Sequence, residues 1–400
     1  MSEHFIPYGR QWIDDDDVAA VAEALRADWL TQGPTIAEFE RAVAARVGAK
    51  HGVAFTNGTA ALHAACFAAG IGPDDEVITS PITFVASANC ALYLGARIAF
   101  ADIRPDTYCL DPEKLESAIT PATKAIVAVD HTGQPCDLDE IRAIAKQHRI
   151  TLIEDAAHAL GATYRGRPVG ALSDMTMFSF HPVKHITTGE GGMITTEDDD
   201  LARKMRVFRT HGISRDAASM SFDDQAADNV SGVEPRRNPA TPAPWYYEMQ
   251  ALGFNYRITD VQCALGLSQL KKLDRSLERR REISLRYTDA FANSRVLVTP
   301  YQEPDRESAW HLYVIRLRLE AMAKTRRQVF EDLRHSNIGV NVHYVPVHLQ
   351  PYFRERFGFT RGDFPEAEAY YDGAITIPLH PTMTDADCER VIDAVVEAVS

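Results

Sequence analysis

The sequence predicts an α/β fold: a large, mainly parallel seven-stranded sheet covered by helices, followed by a smaller C-terminal α/β domain. Three observations carry that prediction. Short apolar, β-rich runs recur at residues 53–56, 77–79, 98–100, 125–129, 151–154, 175–180 and 193–196, each parted from the next by a helical or loop segment. Such alternation suits strands joined by crossovers, and the runs read as buried strands between helix layers. No segment repeats with a period of roughly 20–50 residues, which excludes a solenoid. A length of 400 residues suits two domains. We divide the chain into an N-terminal arm and helix at 1–30, a large domain at 31–258 with a loop insertion at 213–250, and a bridging helix with the small domain at 259–400.

Composition narrows the function classes. The chain is 45% hydrophobic and 24% charged, an ordinary globular balance. Its formal net charge of −14 argues against a general nucleic-acid surface, while leaving room for a local pyrophosphate pocket. The six cysteines (66, 90, 109, 136, 263, 388) form no CxxC pair and no metal spacing, so they read as reduced structural thiols. The N-terminus MSEHFIPYGRQWIDDDD lacks a basic region followed by an apolar core, and no apolar run approaches the ~20 residues of a membrane span. The expectation is a cytoplasmic protein.

In chain order, residues 1–30 read as an extended arm, IPYGRQWI, and a helix. Asp14 to Asp17 can cap its start, and Val18, Val21, Ala22 and Leu25 recur at helical spacing. Four consecutive acids make a solvated helix start and no metal site. The turn Asp28-Trp29-Leu30-Thr31-Gln32-Gly33-Pro34 is either an ordinary Gly-Pro turn or a ligand rim. At Thr56-Asn57-Gly58-Thr59 a strand gives way to an alanine-rich helix, whose free N–H groups and dipole can meet a phosphate. Phe84, just past a strand end in SPITFVASAN, is a core residue or a stacking platform. Asp130-His131-Thr132-Gly133 follows another strand and reads as part of the same rim.

The most informative stretch is 151–196. An apolar run ends in Glu154 and Asp155, with His158 beyond it, and a second run delivers Ser179 and Lys184 into a glycine-rich turn. Lys184 is either a solvated loop lysine or a desolvated amine with lowered pKa, suited to a Schiff base. Asp155, at the C-terminal end of a strand, sits where open α/β sheets place ligand chemistry. Pyridoxal phosphate needs a lysine amine, a carboxylate for its ring nitrogen and a phosphate cradle. Lys184, Asp155 and Ser179 with the Gly58 turn supply those types. Spacing alone leaves His158 open between a proton shuttle and an orienting group.

Further on, 213–250 is polar, proline-bearing and without periodicity, a surface insertion or a partly mobile lid, with Trp245, Tyr246 and Tyr247 as packing residues at its end. GFNYRITD reads as a capped turn leading into one amphipathic helix over 259–291. His343 and His348 lack a third clustered ligand, so no metal is expected.

The runs EDAAHALG and FSFHPVKHITTGEGG resemble the DegT-type nucleotide-sugar aminotransferases, pyridoxal phosphate enzymes with the aspartate aminotransferase fold (fold type I). The likeness extends from Tyr8 to the C-terminal helix. It implies a Schiff base on Lys184, with Asp155 on the ring nitrogen and His158 giving an orienting hydrogen bond. It also implies that Gly58, Thr59 and Ser179 hold the phosphate, that Phe84 stacks on the ring, and that Asn255 crosses a homodimer interface to the neighbouring subunit's phosphate. Tyr8, Asp28, Trp29, Leu30, Thr31, His343, Tyr344 and Val345 are then substrate-binding. A dehydratase branch carries histidine in place of the lysine; here FSFHPVK aligns the lysine itself, with His185 after it.

Within the family, LTQG, SPITFVASAN, KAIVAVDHTG and ALGLSQLKK are similar to the pseudaminic acid branch. That branch moves an amino group from L-glutamate to C4 of a UDP-linked 4-keto-6-deoxy-N-acetylhexosamine, feeding flagellin or surface glycans. The alternatives are transaminases making UDP-bacillosamine precursors or 4-amino-arabinose, a pyridoxal phosphate sugar dehydratase, and a non-catalytic regulatory protein of the same fold.

Overall fold

The computed structural model describes residues 4–216, 219–220 and 245–400. All seven apolar runs become strands: β1 His51–Phe55, β2 Glu76–Thr79, β3 Arg97–Phe100, β4 Thr123–Val129, β5 Thr151–Asp155, β6 Met175–Ser179 and β7 Gly192–Thr196. They form one seven-stranded sheet in the order β1-β7-β6-β5-β4-β2-β3. The block from β3 to β6 is parallel, while β7 runs antiparallel to both β1 and β6. The sheet is therefore mainly parallel, as expected. Its parallel strands are nearly all apolar and buried because helices cover both faces. Val129 pairs with Asp155 and Asp155 with Met177, so the C-terminal ends of three strands come level at one edge.

Separate apolar clusters lie on the two sides of this sheet, one including the helix Gly58–Ala68 and Phe208, the other including Phe39, Phe178 and Phe180. A further cluster belongs to the C-terminal part, where Tyr287, Phe291, Tyr313, Ile315, Ile375 and Val391 pack together. Ile6 of the N-terminal arm enters that cluster and bridges in parallel to Ile338. The arm is thus anchored on the C-terminal unit.

The first helix runs Asp15–Arg26 with Asp14 as its cap, in a reciprocal box with Asp17. Its apolar stripe is not a buried face: Val18 and Leu25 are each 59% exposed. The expected single helix over 259–291 is corrected to two, Asp260–Leu270 and Leu273–Phe291. The break occurs where buried Asp17 accepts hydrogen bonds from Gln269 Nε2 at 2.7 Å and Lys272 Nζ at 2.5 Å. Of the 213–250 insertion, residues 217–218 and 221–244 lie outside the described residues. Its ends pair, Ile213–Ser214 against Glu248–Met249. Trp245 and Tyr247, expected to pack, are exposed, and Tyr247 takes the Arg215 guanidinium over its ring at 5.5 Å.

Candidate active site

The C-terminal ends of β1, β5 and β6 open into a cavity of about 980 Å³. Tyr8, Gly58, Thr59, Phe84, Asp155, His158, Ser179, Lys184, His343 and Tyr344 all line it. Residues more than 330 positions apart thus meet at one site because the arm and the C-terminal loop fold over the sheet edge.

Asn57 caps the helix that follows β1, its Oδ1 accepting from Ala60 N at 2.8 Å. The first-turn N–H groups at Gly58 and Thr59 have no intrahelical acceptor, which makes this end an anion site. Gly58 sits against β6, where an added Cβ would stand 3.6 Å from Ser179 Oγ. Gly192 on β7 is required by close approach, since its Cβ would lie 2.6 Å from the Asn57 carbonyl.

Asp155 is buried, its Oδ2 accepting from Ser87 Oγ at 2.6 Å and its Oδ1 from Ala157 N at 3.2 Å. Burial raises its proton affinity, against the pull of those hydrogen bonds and of Lys184. Lys184 lies in the turn after β6. Desolvation lowers its pKa to about 7, opposed by Asp155 and assisted by Arg280. Its Nζ lies 3.4 Å from His311 Nε2, within hydrogen-bond reach.

His158 Nε2 meets the Tyr344 hydroxyl at 3.2 Å, and its ring lies 4.4 Å from that of His311. Burial, then the nearby Lys184 charge, holds His158 neutral. His343 Nδ1 meets Thr376 Oγ1 at 2.8 Å, and its ring stands 5.2 Å from Tyr8. Phe84, 57% exposed, leaves a large aromatic surface on the cavity wall. An anion-binding helix end beside a hydroxyl, a desolvated amine, a buried carboxylate and an open aromatic face together fit pyridoxal phosphate.

Other sequence-predicted residues lie elsewhere on the chain. Asp28, Trp29, Leu30, Thr31, Val345 and Asn255 do not line this cavity. Trp29 and Leu30 are exposed, Thr31 bridges to Thr259, and exposed Asn255 bridges to Thr210. His131 is not at the rim: it is fully buried, with Nε2 on the Tyr370 hydroxyl at 2.9 Å. His185 also turns inward, onto the Ala309 carbonyl at 2.9 Å. Sequence reasoning missed Ser87 and His311. Ser87 lies within SPITFVASAN, and His311 opens the HLYVIRL run that reads simply as a strand. Among the described residues no acidic, histidine or cysteine cluster is set to hold a metal, and all six cysteines are free and buried. No described helix is long and apolar enough to cross a membrane.

Comparison with known proteins gives this site a family. The DegT/DnrJ/EryC1/StrS aminotransferase family model matches residues 11–396. The spore coat polysaccharide biosynthesis protein SpsC of Bacillus subtilis is 44% identical over 397 residues, covering 99% of this chain and 97% of SpsC. The structure of Helicobacter pylori PseC, an aminotransferase involved in pseudoaminic acid biosynthesis, matches with a TM-score of 0.87 and 30% identity over 99% of each chain. The sugar aminotransferase Spr1654 of Streptococcus pneumoniae in its PLP form has a TM-score of 0.87 and 29% identity, covering 99% of this chain and 100% of its own. The chain belongs to the DegT/DnrJ/EryC1/StrS family and is a pyridoxal-phosphate-dependent sugar aminotransferase with the aminotransferase fold.

Proposed function

We propose that the enzyme transfers an amino group from L-glutamate to C4 of a UDP-linked 4-keto-6-deoxy-N-acetylhexosamine, as a homodimer, in the cytoplasm and in pseudaminic acid synthesis. One observation carries the chemistry: a lysine amine with pKa lowered to about 7 shares a cavity with a buried carboxylate and a phosphate-type helix end. The pathway draws on the likeness to PseC. On this reading residues 31–258 form the cofactor-binding domain and 259–400 the smaller one.

When bound, pyridoxal phosphate supplies an electron sink at the donor's α-carbon and carries nitrogen between the two half-reactions. Gly58 and Thr59 N–H groups and the Ser179 hydroxyl would hold its phosphate, Phe84 would face its ring, and Lys184 would be its covalent anchor. Asp155 would hold the proton on the ring nitrogen. Lys184, once free, is the base: Nζ takes the proton from glutamate's α-carbon and later delivers one to C4 of the sugar. An amine titrating near neutrality is matched to both directions of that transfer. Neutral His158, with Tyr344 on its Nε2, would orient the cofactor's phenolic oxygen and holds no mobile charge. Tyr8, His343 and Tyr344 contact the nucleotide-sugar. The exposed Asp28–Thr31 segment and Asn255 serve the site of the second copy.

The test is incubation with that UDP-keto-sugar and nitrogen-labelled L-glutamate, with the product read by mass spectrometry and NMR. Label at C4 supports the reading. The 44% identity to a spore coat polysaccharide protein favours a second reading, transfer to a different nucleotide-linked keto-sugar of the bacillosamine or 4-amino-arabinose type. Label appearing only on such a sugar decides for it. Loss of a hydroxyl without nitrogen gain would make the protein a dehydratase.

A further inference from the structure

We propose that His311 is a positioning residue that receives and aims the free Lys184 amine through its Nε2; the inference rests on the reading of Lys184 as the base. Nε2 lies 3.4 Å from Lys184 Nζ and is the one hydrogen-bond partner of that amine among the described residues. We take Nζ as donor and Nε2 as acceptor, the tautomer with its ring proton on Nδ1, a buried atom with no partner among the described residues. An amine with one N–H committed to a fixed acceptor has its lone pair directed, and direction decides proton-transfer rates.

The protein fixes that acceptor from two sides. His311 N donates to the Thr132 carbonyl at 2.9 Å, and Ala309 N to Gly133 at 2.9 Å. From the opposite side Arg280, 1% exposed, donates through Nη1 to the carbonyls of Trp310 at 3.2 Å, His311 at 3.2 Å and Leu379 at 2.9 Å. A buried guanidinium whose hydrogen bonds go to backbone is costly, and here it pins the segment that presents His311. Trp310 adopts φ 49°, a left-handed conformation that a bulky residue seldom takes. Gly133 is obligatory beneath it, at φ 113°, where a Cβ would stand 2.8 Å from the His158 carbonyl and 2.9 Å from Trp310 N. Strain held in place next to a reactive amine points to use of the position.

The charged and titratable groups facing Lys184 come from several elements. They are Asp155 on β5, His158 beyond it, His181 and His185 in the lysine's own turn, Arg280 on the helix Leu273–Phe291, His343 on the C-terminal loop, and His311. Burial lowers the pKa of all five imidazoles, so His311 meets the amine as a neutral ring and not as a cation. A neutral acceptor stabilises the ammonium more than the amine, since the ammonium is the stronger donor.

The experiment compares His311→Gln, whose carboxamide oxygen can stand near the Nε2 position, with His311→Asn and His311→Leu. The expectation is that kcat for His311→Leu falls about thirtyfold with KM for glutamate little changed, while His311→Gln retains most activity and His311→Asn does not. In the full-length chain without cofactor, acetylation of Lys184 followed by mass spectrometry should show half-reaction at lower pH in His311→Leu than in wild type. Wild-type kcat and an unshifted labelling profile in His311→Leu would overturn the proposal. Equal activities of the Gln and Asn variants would overturn it too, and that comparison stands even if the Leu variant does not fold. Lys184→Ala separates the two levels: turnover in that variant removes the base reading itself, whereas its loss beside a normal His311→Leu removes the positioning role alone.

Discussion

Glu154 and Asp155 are neighbours on β5, both buried carboxylates, yet the two sides of the strand give them opposite lives. Asp155 faces the cavity with Lys184, its two oxygens held by Ser87 and the Ala157 amide. Glu154 is fully buried away from it, where one oxygen accepts from Ser173 at 3.0 Å and Thr176 at 2.9 Å. Glu154 also pairs with the buried Asp130 carboxyl, a contact that needs a shared proton, and burial raises the proton affinity of both groups. The period-two alternation of a strand therefore separates a chemical carboxylate from a structural one across a single peptide bond.

Substitutions should break that pair asymmetrically. Asp155→Asn should lower kcat by about a thousandfold or more, because an amide cannot secure the ring-nitrogen proton, while thermal melting stays close to wild type. Glu154→Leu should do the reverse: it strands the Ser173 and Thr176 hydroxyls, costing about 2–4 kcal/mol in urea unfolding, with kcat per folded molecule little changed. A large activity loss at equal stability in the Leu variant would erase the distinction. Ser87→Ala removes the 2.6 Å hydrogen bond to Asp155 and should lower kcat about tenfold, measured at saturating substrates.

The smallest effect is one of pH on stability. Asp130 and Glu154 have raised folded-state pKa values, so their contribution is fully present below the ordinary carboxylate range and is lost as pH rises through the folded values. Melting temperature followed upward from mildly acid pH should decline less in Glu154→Gln than in wild type. An identical slope in the two would mean that this pair does not hold the extra proton.

Much of the fold was legible in the chain, because each strand of the large sheet is a local apolar run bounded by turn residues. Lys184, Asp155, Ser179 and the Gly58 turn stood out for the same reason: each lies in a short segment whose chemistry is unusual for its surroundings. Ser87 and His311 did not, since their importance comes from segments that meet only in three dimensions, at 2.6 Å and 3.4 Å from groups far away in sequence. The helix break near Lys272 was hidden because an amphipathic pattern runs on through it, and Asp17, which takes the Gln269 and Lys272 side chains there, is far away in sequence. Asp28–Thr31 were visible as a motif, but sequence carries no sign that they lie outside the cavity.

The central claim is that Lys184 holds the cofactor and acts from that position. The most direct measurement is borohydride reduction of the purified protein, digestion and mass spectrometry, run beside Lys184→Ala. The account predicts a pyridoxyl adduct on the peptide containing Lys184, absent from the variant. An adduct on another lysine, or none after incubation with pyridoxal phosphate, would contradict it.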